Sequence, residues 1–286
     1  MQYKILGRTG LKVSVIGCGG AVIGIPYYLA HEDTNDPAIQ EIFISALERA
    51  FELGINYFDT APGYGNGVGE ITYAKALSKH RDKIILASKV TYSGNPDEIQ
   101  NSVEQSLRRL KTDYLDVIQF HGGYFNDKEA DDIMNGGRLE ILEKLRDAGK
   151  VRFIGITAEA PTGALERMLS SQRFDVLQIC YNLAYQHTCD HSRQCRGIAE
   201  IAENNNMGIV TMRTATSGFM QKLLNREFGL DGEAITRMCI KFVISTPEID
   251  VALVGMRNPK EVEINVALAS DPNDRYNLDE LHNRFR

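Results

Sequence analysis

Short apolar runs and amphipathic stretches trade places along nearly the whole chain, and this alternation most restricts the folds open to it. At the start, GRTG supplies turn chemistry between the two short runs of YKILGRTGLKVS, which predicts a β-hairpin followed by a buried strand over 15–19. Ile39, Ile42, Phe43, Ala46, Leu47, Ala50 and Phe51 then recur at helical spacing, so a helix is expected over 36–53, stopped by Gly54. The pairing repeats as strand 57–60 with helix 69–79, strand 83–90 with helix Asp97–Leu110, strand 115–120 with helix 137–148, and strand 152–157 with helix 163–171. It continues as strand Val176–Cys180 with helix 191–204, strand Gly208–Met212 with helix 233–245, and strand Val251–Val254 with helix 259–269.

Buried strands that are each followed by a helix, with no composition shift or Pro/Gly/Ser-rich linker, predict an α/β fold: a (β/α)8 TIM barrel with an N-terminal β-hairpin, and residues 1–286 as one domain. A doubly wound open sheet is the architectural alternative. Its usual fingerprint, G-x-G-x-x-G, is missed in GCGGAVIG because Val22 stands where the third glycine belongs. A net charge of −6 with scattered Lys and Arg argues against a nucleic-acid surface. No apolar run reaches the ~18 residues of a membrane span, and the polar N-terminus lacks a signal-peptide core. The chain is therefore expected to be cytoplasmic and to act on small molecules. Five cysteines, an odd number, are expected to be reduced thiols.

Active sites of such barrels form at the C-terminal ends of the strands. Those ends are Gly19, Asp59, Lys89, His121, Thr157, Gln178, Met212 and Gly255. Asp59, Lys89 and His121 each close an apolar run, and each alone has an ordinary explanation: a loop cap, a solvent-facing lysine, a satisfied turn histidine. Together at successive strand ends they point to one site, since a buried carboxylate needs a partner to offset several kcal/mol of desolvation. Tyr64 lies five residues past Asp59 between Gly63 and Gly65, where the backbone is free to carry the ring back over the barrel mouth. A phenol with a pKa near 10 is a poor proton donor, but a neighbouring ammonium lowers that value. Lys89 is expected to supply the charge, Asp59 to hold Lys89, and His121 to orient the substrate oxygen. This set suits proton delivery to a carbonyl that accepts hydride from a bound cofactor.

The segments LGRTGLKVSVIGCGG, GINYFDTAPGYG, ASKV, DVIQFHG, VRFIGIT, VLQICYN and LVGMRNP, which span essentially the whole chain, resemble the aldo-keto reductases in order and content. The resemblance implies the (β/α)8 barrel with its hairpin, carbonyl–alcohol interconversion, NADP as cofactor with NAD as the alternative, and no metal. Carried over position by position, it implies Tyr64 as the general acid, Lys89 and Asp59 as its ion-paired modulators, and His121 as the carbonyl-orienting histidine. For the cofactor it implies Gly20, Thr157, Gln178, Met212, Arg213, Thr214, Gly255, Arg257, Glu261 and Asn265. Three positions depart from the family pattern. Ala158 replaces the asparagine of a carboxamide-holding pair, Met212 replaces a stacking aromatic, and Glu261 stands where arginine or glutamine binds the 2′-phosphate, which a carboxylate would repel.

Two further stretches stand out. HTCDHSRQC, with His187, Cys189, His191 and Cys195, has metal-ligand residue types at a spacing that matches no zinc pattern, and a surface or packing role is expected. The insert 21–37, with Pro26, Tyr27, Tyr28 and His31, is expected to overhang the barrel mouth, lining a pocket or packing as an ordinary loop. Two rival functions fit less well: a cofactor-binding, redox-sensing barrel of the same family with slow turnover, and a metal-dependent hydrolase, for which no His-x-His is present.

Overall fold

The computed structural model describes residues 1–191 and 197–283. An antiparallel hairpin comes first, β1 (Tyr3–Ile5) and β2 (Lys12–Ser14), joined through a 3-10 turn at Gly7–Thr9. Strands and helices then alternate: β3 (Ile16–Gly19), α1 (Ala21–Gly24) and α2 (Pro37–Glu52); β4 (Tyr57–Asp59) and α3 (Val68–Leu77); β5 (Ile85–Val90) and α4 (Asp97–Leu110). Next are β6 (Leu115–His121), α5 (Asp127–Met134) and α6 (Arg138–Asp147); β7 (Val151–Ala158) and α7 (Gly163–Ser170); β8 (Val176–Cys180) and α8 (Ile198–Asn204). The chain continues through β9 (Gly208–Met212), α9 (Phe219–Phe228) and α10 (Gly232–Ile244), then β10 (Val251–Val254), α11 (Pro259–Ser270) and α12 (Leu278–Asn283). Strands β3 to β10 pair in sequence order, all parallel, and β10 pairs back onto β3 to close the barrel.

The strands read as nearly continuous apolar runs because both of their faces are buried. Ile118, Phe120, Ile154, Ile156, Leu177 and Ile179 face outward into the layer shared with the helices. The alternate residues Tyr57, Ala87, Val117, Val176, Val210 and Val251 fill the barrel interior, joined there by Leu6 and Val13 of the hairpin. The hairpin thus stoppers the base of the barrel, held by Lys4 Nζ, which donates to the carbonyls of Pro247 and Ile249 at 2.8 and 2.6 Å.

The expected architecture is the one observed, with differences at the mouth. Helices α5 and α9 lie in stretches expected to be loop; of the helix expected over 191–204, residues 192–196 lie outside the described residues, and α8 covers Ile198–Asn204. Asn126 explains the first: it caps α5 by accepting from the Glu129 amide while the Glu129 carboxylate accepts from its own, a reciprocal box that starts a helix of modest apolar content. No helix among the described residues is long and apolar enough to cross a membrane.

The insert after β3 is fastened to the loop that bears Tyr64. Thr34, fully buried, donates to the Gly24 carbonyl at 2.9 Å, and α1 meets the Tyr64 loop glycine to backbone. A Cβ on Gly24 would stand 2.6 Å from the Tyr64 Cβ, and one on Gly65, whose φ is +64°, would stand 2.0 Å from the Gly24 oxygen. Gly24→Ala is therefore expected to push the Tyr64 loop outward and to cost about 1–3 kcal/mol of stability, measurable as a lower urea midpoint at unchanged slope.

Candidate active site

Four strand ends and one loop build the polar mouth. Asp59 at the end of β4 sits beside Ala87 in the β4–β5 register, and Lys89, two residues further on, shares the inward face and reaches across. Lys89 Nζ donates to Asp59 Oδ1 at 2.6 Å and to the Thr60 carbonyl at 2.9 Å, and neither side chain has appreciable contact with solvent. Gln119 donates to the other Asp59 oxygen at 3.1 Å.

Burial works against both charges. It lifts the Asp59 carboxyl above the ordinary carboxylate range, with Lys89 and the Gln119 and Gln178 amides pulling the other way. Burial also opposes the Lys89 ammonium, but the Asp59 carboxylate and then the Tyr64 oxygen prevail, and Lys89 is held above its ordinary value. The result is a locked, charge-assisted pair with little net charge.

Tyr64 lies against this pair, its ring centroid 5.1 Å from Lys89 Nζ and edge-on to the His121 ring at 5.9 Å and 81°. Lys89 pulls the phenol pKa down as expected, but the net shift is upward. Burial pushes the phenol above its ordinary value; Lys89 pulls it down and Asp59 pushes it back up. Asp59 cancels much of the ammonium field, so desolvation wins and resting Tyr64 is a neutral phenol. His121 opens onto the cavity, yet the walls of the mouth strip away bulk water; that desolvation, aided by the Lys89 charge, lowers its pKa to about 4. At neutral pH it is an uncharged imidazole that can donate one hydrogen bond.

The mouth continues into a cavity of about 800 Å³. Asp59, Tyr64 and His121 stand in its wall, with Lys89 behind them. Gly20, Gln178, Met212, Arg213, Thr214, Gly255, Arg257, Glu261 and Asn265 line it as well. Thr157 does not: its hydroxyl turns inward and donates to Gln119 Oε1 at 3.2 Å, so a direct cofactor contact from this side chain is not what the geometry offers. Arg213, in left-handed backbone with φ +57°, is held by Glu159 through a two-pronged ion pair of 2.8 and 2.9 Å.

Glu261 makes local hydrogen bonds at the start of α11. Its carboxylate accepts from the Arg257 amide at 2.8 Å and the Asn258 side chain at 3.0 Å, while its own amide donates to Asn258 Oδ1 at 3.0 Å. This is a helix cap; the carboxylate keeps its charge, so a phosphate held nearby needs the cations beside it. Arg257 and Lys260 line the same end of the cavity. Among cofactor groups, an extended anionic dinucleotide fits: amide and imidazole donors at one end, cations and Asn265 at the other.

Sequence reasoning missed Gln119, Glu159 and Lys260. Gln119 carried a readable signal, a lone amide inside an apolar strand two residues before His121 and hence on its face. In the insert, Tyr28 and Leu29 line the cavity, whereas Tyr27 is largely exposed and Pro26 and His31 are not in its wall. Of HTCDHSRQC, Cys195 lies outside the described residues, Cys189 is buried and free, His187 packs edge-on to Tyr185, and His191 stacks on His282. No group of three or more His, Cys, Asp or Glu among the described residues is placed to hold a metal.

The family model described as "Aldo/keto reductase family" matches residues 15–283. L-galactose dehydrogenase of Arabidopsis thaliana is 27% identical, over 95% of this chain and 89% of that protein. Aldo-keto reductase YhdN of Bacillus subtilis (strain 168) is 25% identical, over 92% and 87%. Among solved structures, an aldo/keto reductase from Klebsiella pneumoniae in complex with NADP and acetate superimposes with a TM-score of 0.74 at 21% identity, covering 100% of this chain and 96% of that one.

The His121 environment gives a direct test by NMR titration. Its imidazole is expected to titrate near pH 4 rather than near the ordinary 6.5. Because the unfolded chain binds that proton first, this residue makes stability fall as the pH drops from about 6.5 towards 4, a slope His121→Gln should remove.

Proposed function

The chain belongs to the aldo/keto reductase family, and from that premise we propose that it is an NADPH-dependent oxidoreductase interconverting an aldehyde or ketone, sugars included, with the corresponding alcohol. The observation that carries the reading is the meeting of Tyr64, His121 and the buried Lys89–Asp59 pair at the wall of one cavity. Bound NADPH supplies the hydride for the carbonyl carbon.

The protein's own part is to receive the oxygen. Neutral His121 donates a hydrogen bond that orients the carbonyl, and Tyr64 stands ready as the proton donor. As negative charge develops on the oxygen, the phenol proton moves to it, and the phenolate left behind faces the Lys89 ammonium. Asp59 holds that ammonium in place through the transfer. A phenol that is neutral at rest is the correct starting form for reduction; the phenolate is the correct one for alcohol oxidation.

NADP rather than NAD is favoured by Arg257 and Lys260 at the far end of the cavity, where they suit the 2′-phosphate and offset the nearby Glu261 charge. Asn265 is assigned to the adenine, Gln178 to the nicotinamide carboxamide, and Gly20, Met212, Arg213, Thr214 and Gly255 to the path between. The NADP bound to the Klebsiella protein and the sugar substrate named for the Arabidopsis relative support the cofactor and the breadth of substrate.

Loss of NADPH absorbance with a panel of aldehydes, ketones and sugars tests the chemistry. Tyr64→Phe is expected to lower kcat at least ~100-fold while NADPH affinity, read by fluorescence quenching, stays within about twofold. Activity of the mutant close to wild type would remove Tyr64 as the acid. Arg257→Ala with Lys260→Ala is expected to raise the KM for NADPH about tenfold or more and to leave that for NADH nearly unchanged.

A further inference from the structure

One more polar side chain inside the barrel has its hydrogen bonds fully committed. Gln119 lies on β6 with no exposure to solvent. Its nitrogen donates to Asp59 Oδ2 at 3.1 Å and to Gln178 Oε1 at 3.1 Å, and its oxygen accepts from Thr157 Oγ1 at 3.2 Å. Strands β4, β6, β7 and β8 are thereby tied in one layer. Gly155 on β7 leaves the space: a Cβ there would stand 3.0 Å from Gln119 Cγ.

The polarity of this cluster follows from its chemistry. An ionised carboxylate only accepts, so Gln119 must turn its NH₂ towards Asp59. Its oxygen then falls to the Thr157 hydroxyl, and its second N–H to Gln178 Oε1. Gln178 must keep its oxygen towards Gln119, which leaves its NH₂ to face both Asp59, whose pKa it helps to lower, and the cavity side, where it meets Met212 Sδ at 3.9 Å. An apolar residue such as fills the layers beneath would leave the second Asp59 oxygen without this donor and the Gln178 amide free to flip.

We infer that Gln119 is a positioning residue that sets two halves of the site with one side chain: it fixes the second Asp59 oxygen behind Lys89 and Tyr64, and it makes Gln178 present a donor to the cofactor. The inference rests on the reductase reading above. It assigns Gln119 no contact with substrate or cofactor.

Gln119→Leu and Gln119→Glu in the full chain test it, with thermal midpoint, NADPH dissociation constant and the pH profile of kcat/KM as readouts. Gln119→Leu is expected to weaken NADPH about tenfold, as one lost, correctly aimed hydrogen bond does, and to lower kcat. Gln119→Glu is expected to recover much of kcat at low pH, where its protonated carboxyl donates its single proton to Asp59, while NADPH stays weakened because no second donor remains for Gln178 Oε1. Activity should then fall as the pH rises, with a new midpoint above the usual ~4.3 because a second carboxylate beside Asp59 resists ionisation. Wild-type NADPH affinity in Gln119→Leu together with a wild-type pH profile in Gln119→Glu overturns the inference, as does a uniform loss of rate with no new pH limb. If Gln119→Leu fails to fold, the pH profile of Gln119→Glu decides. A wild-type chain that binds NADPH but reduces no carbonyl overturns the reductase reading instead, and the NADPH affinity of Gln119→Leu then decides for Gln119.

Discussion

The structure of the site depends on one contact, the 2.6 Å pair between Lys89 and Asp59 inside the barrel. Removing two charges from water costs several kcal/mol for each ion, and such a pair is retained only where further hydrogen bonds complete its shell. The Thr60 carbonyl does this for the ammonium and Gln119 for the carboxylate. The surroundings then inherit the consequences. Tyr64 meets an ammonium already compensated, so its phenol stays protonated, while His121 feels enough of the same charge, added to its desolvation, to remain neutral.

Much of this was legible in the residue order, for identifiable reasons. Parallel strands buried on both faces must be apolar throughout, so polar residues at their ends are conspicuous, and Asp59, Lys89, His121 and Gln178 could be picked out. Helix periodicity located α2, α4 and α10 because each has a long apolar stripe. It failed for α5 and α9, where a side-chain cap or a turn after a strand starts the helix and little apolar surface follows; α9 has no buried residue at all. Electrostatics were the least readable. The sign of the Tyr64 shift depends on how much of Lys89's charge Asp59 cancels and how much water the fold excludes, and neither is a property of the sequence alone. Glu261 is a similar case: its residue type shows a charge near a phosphate site, and only the fold shows that the same carboxylate also caps a helix.

Around Ala158 and Met212, where the sequence suggested departures on the cofactor side, the neighbouring side chains tie the strand ends together. Thr157 gives its hydroxyl to Gln119, and Glu159, next after Ala158, reaches Arg213 on the far side of β8. The ion pair spans the C-terminal ends of β7 and β9, so two loops that would otherwise be set independently share one geometry. The left-handed backbone of Arg213 is part of that arrangement, since its carbonyl accepts from Asn182 at 3.1 Å while its side chain turns back to Glu159.

The hairpin at the other end bears on the chemistry at a distance. With Leu6 and Val13 seated among the interior side chains, the barrel is a vessel sealed at one end, and its contents exchange with the surroundings only through the rim. Hydration of the polar layer is therefore governed from above, by whatever fills the rim, while the floor keeps the local permittivity low whether or not anything is bound. A segment far from any reacting atom thus helps to set how strongly the charges at the rim are felt.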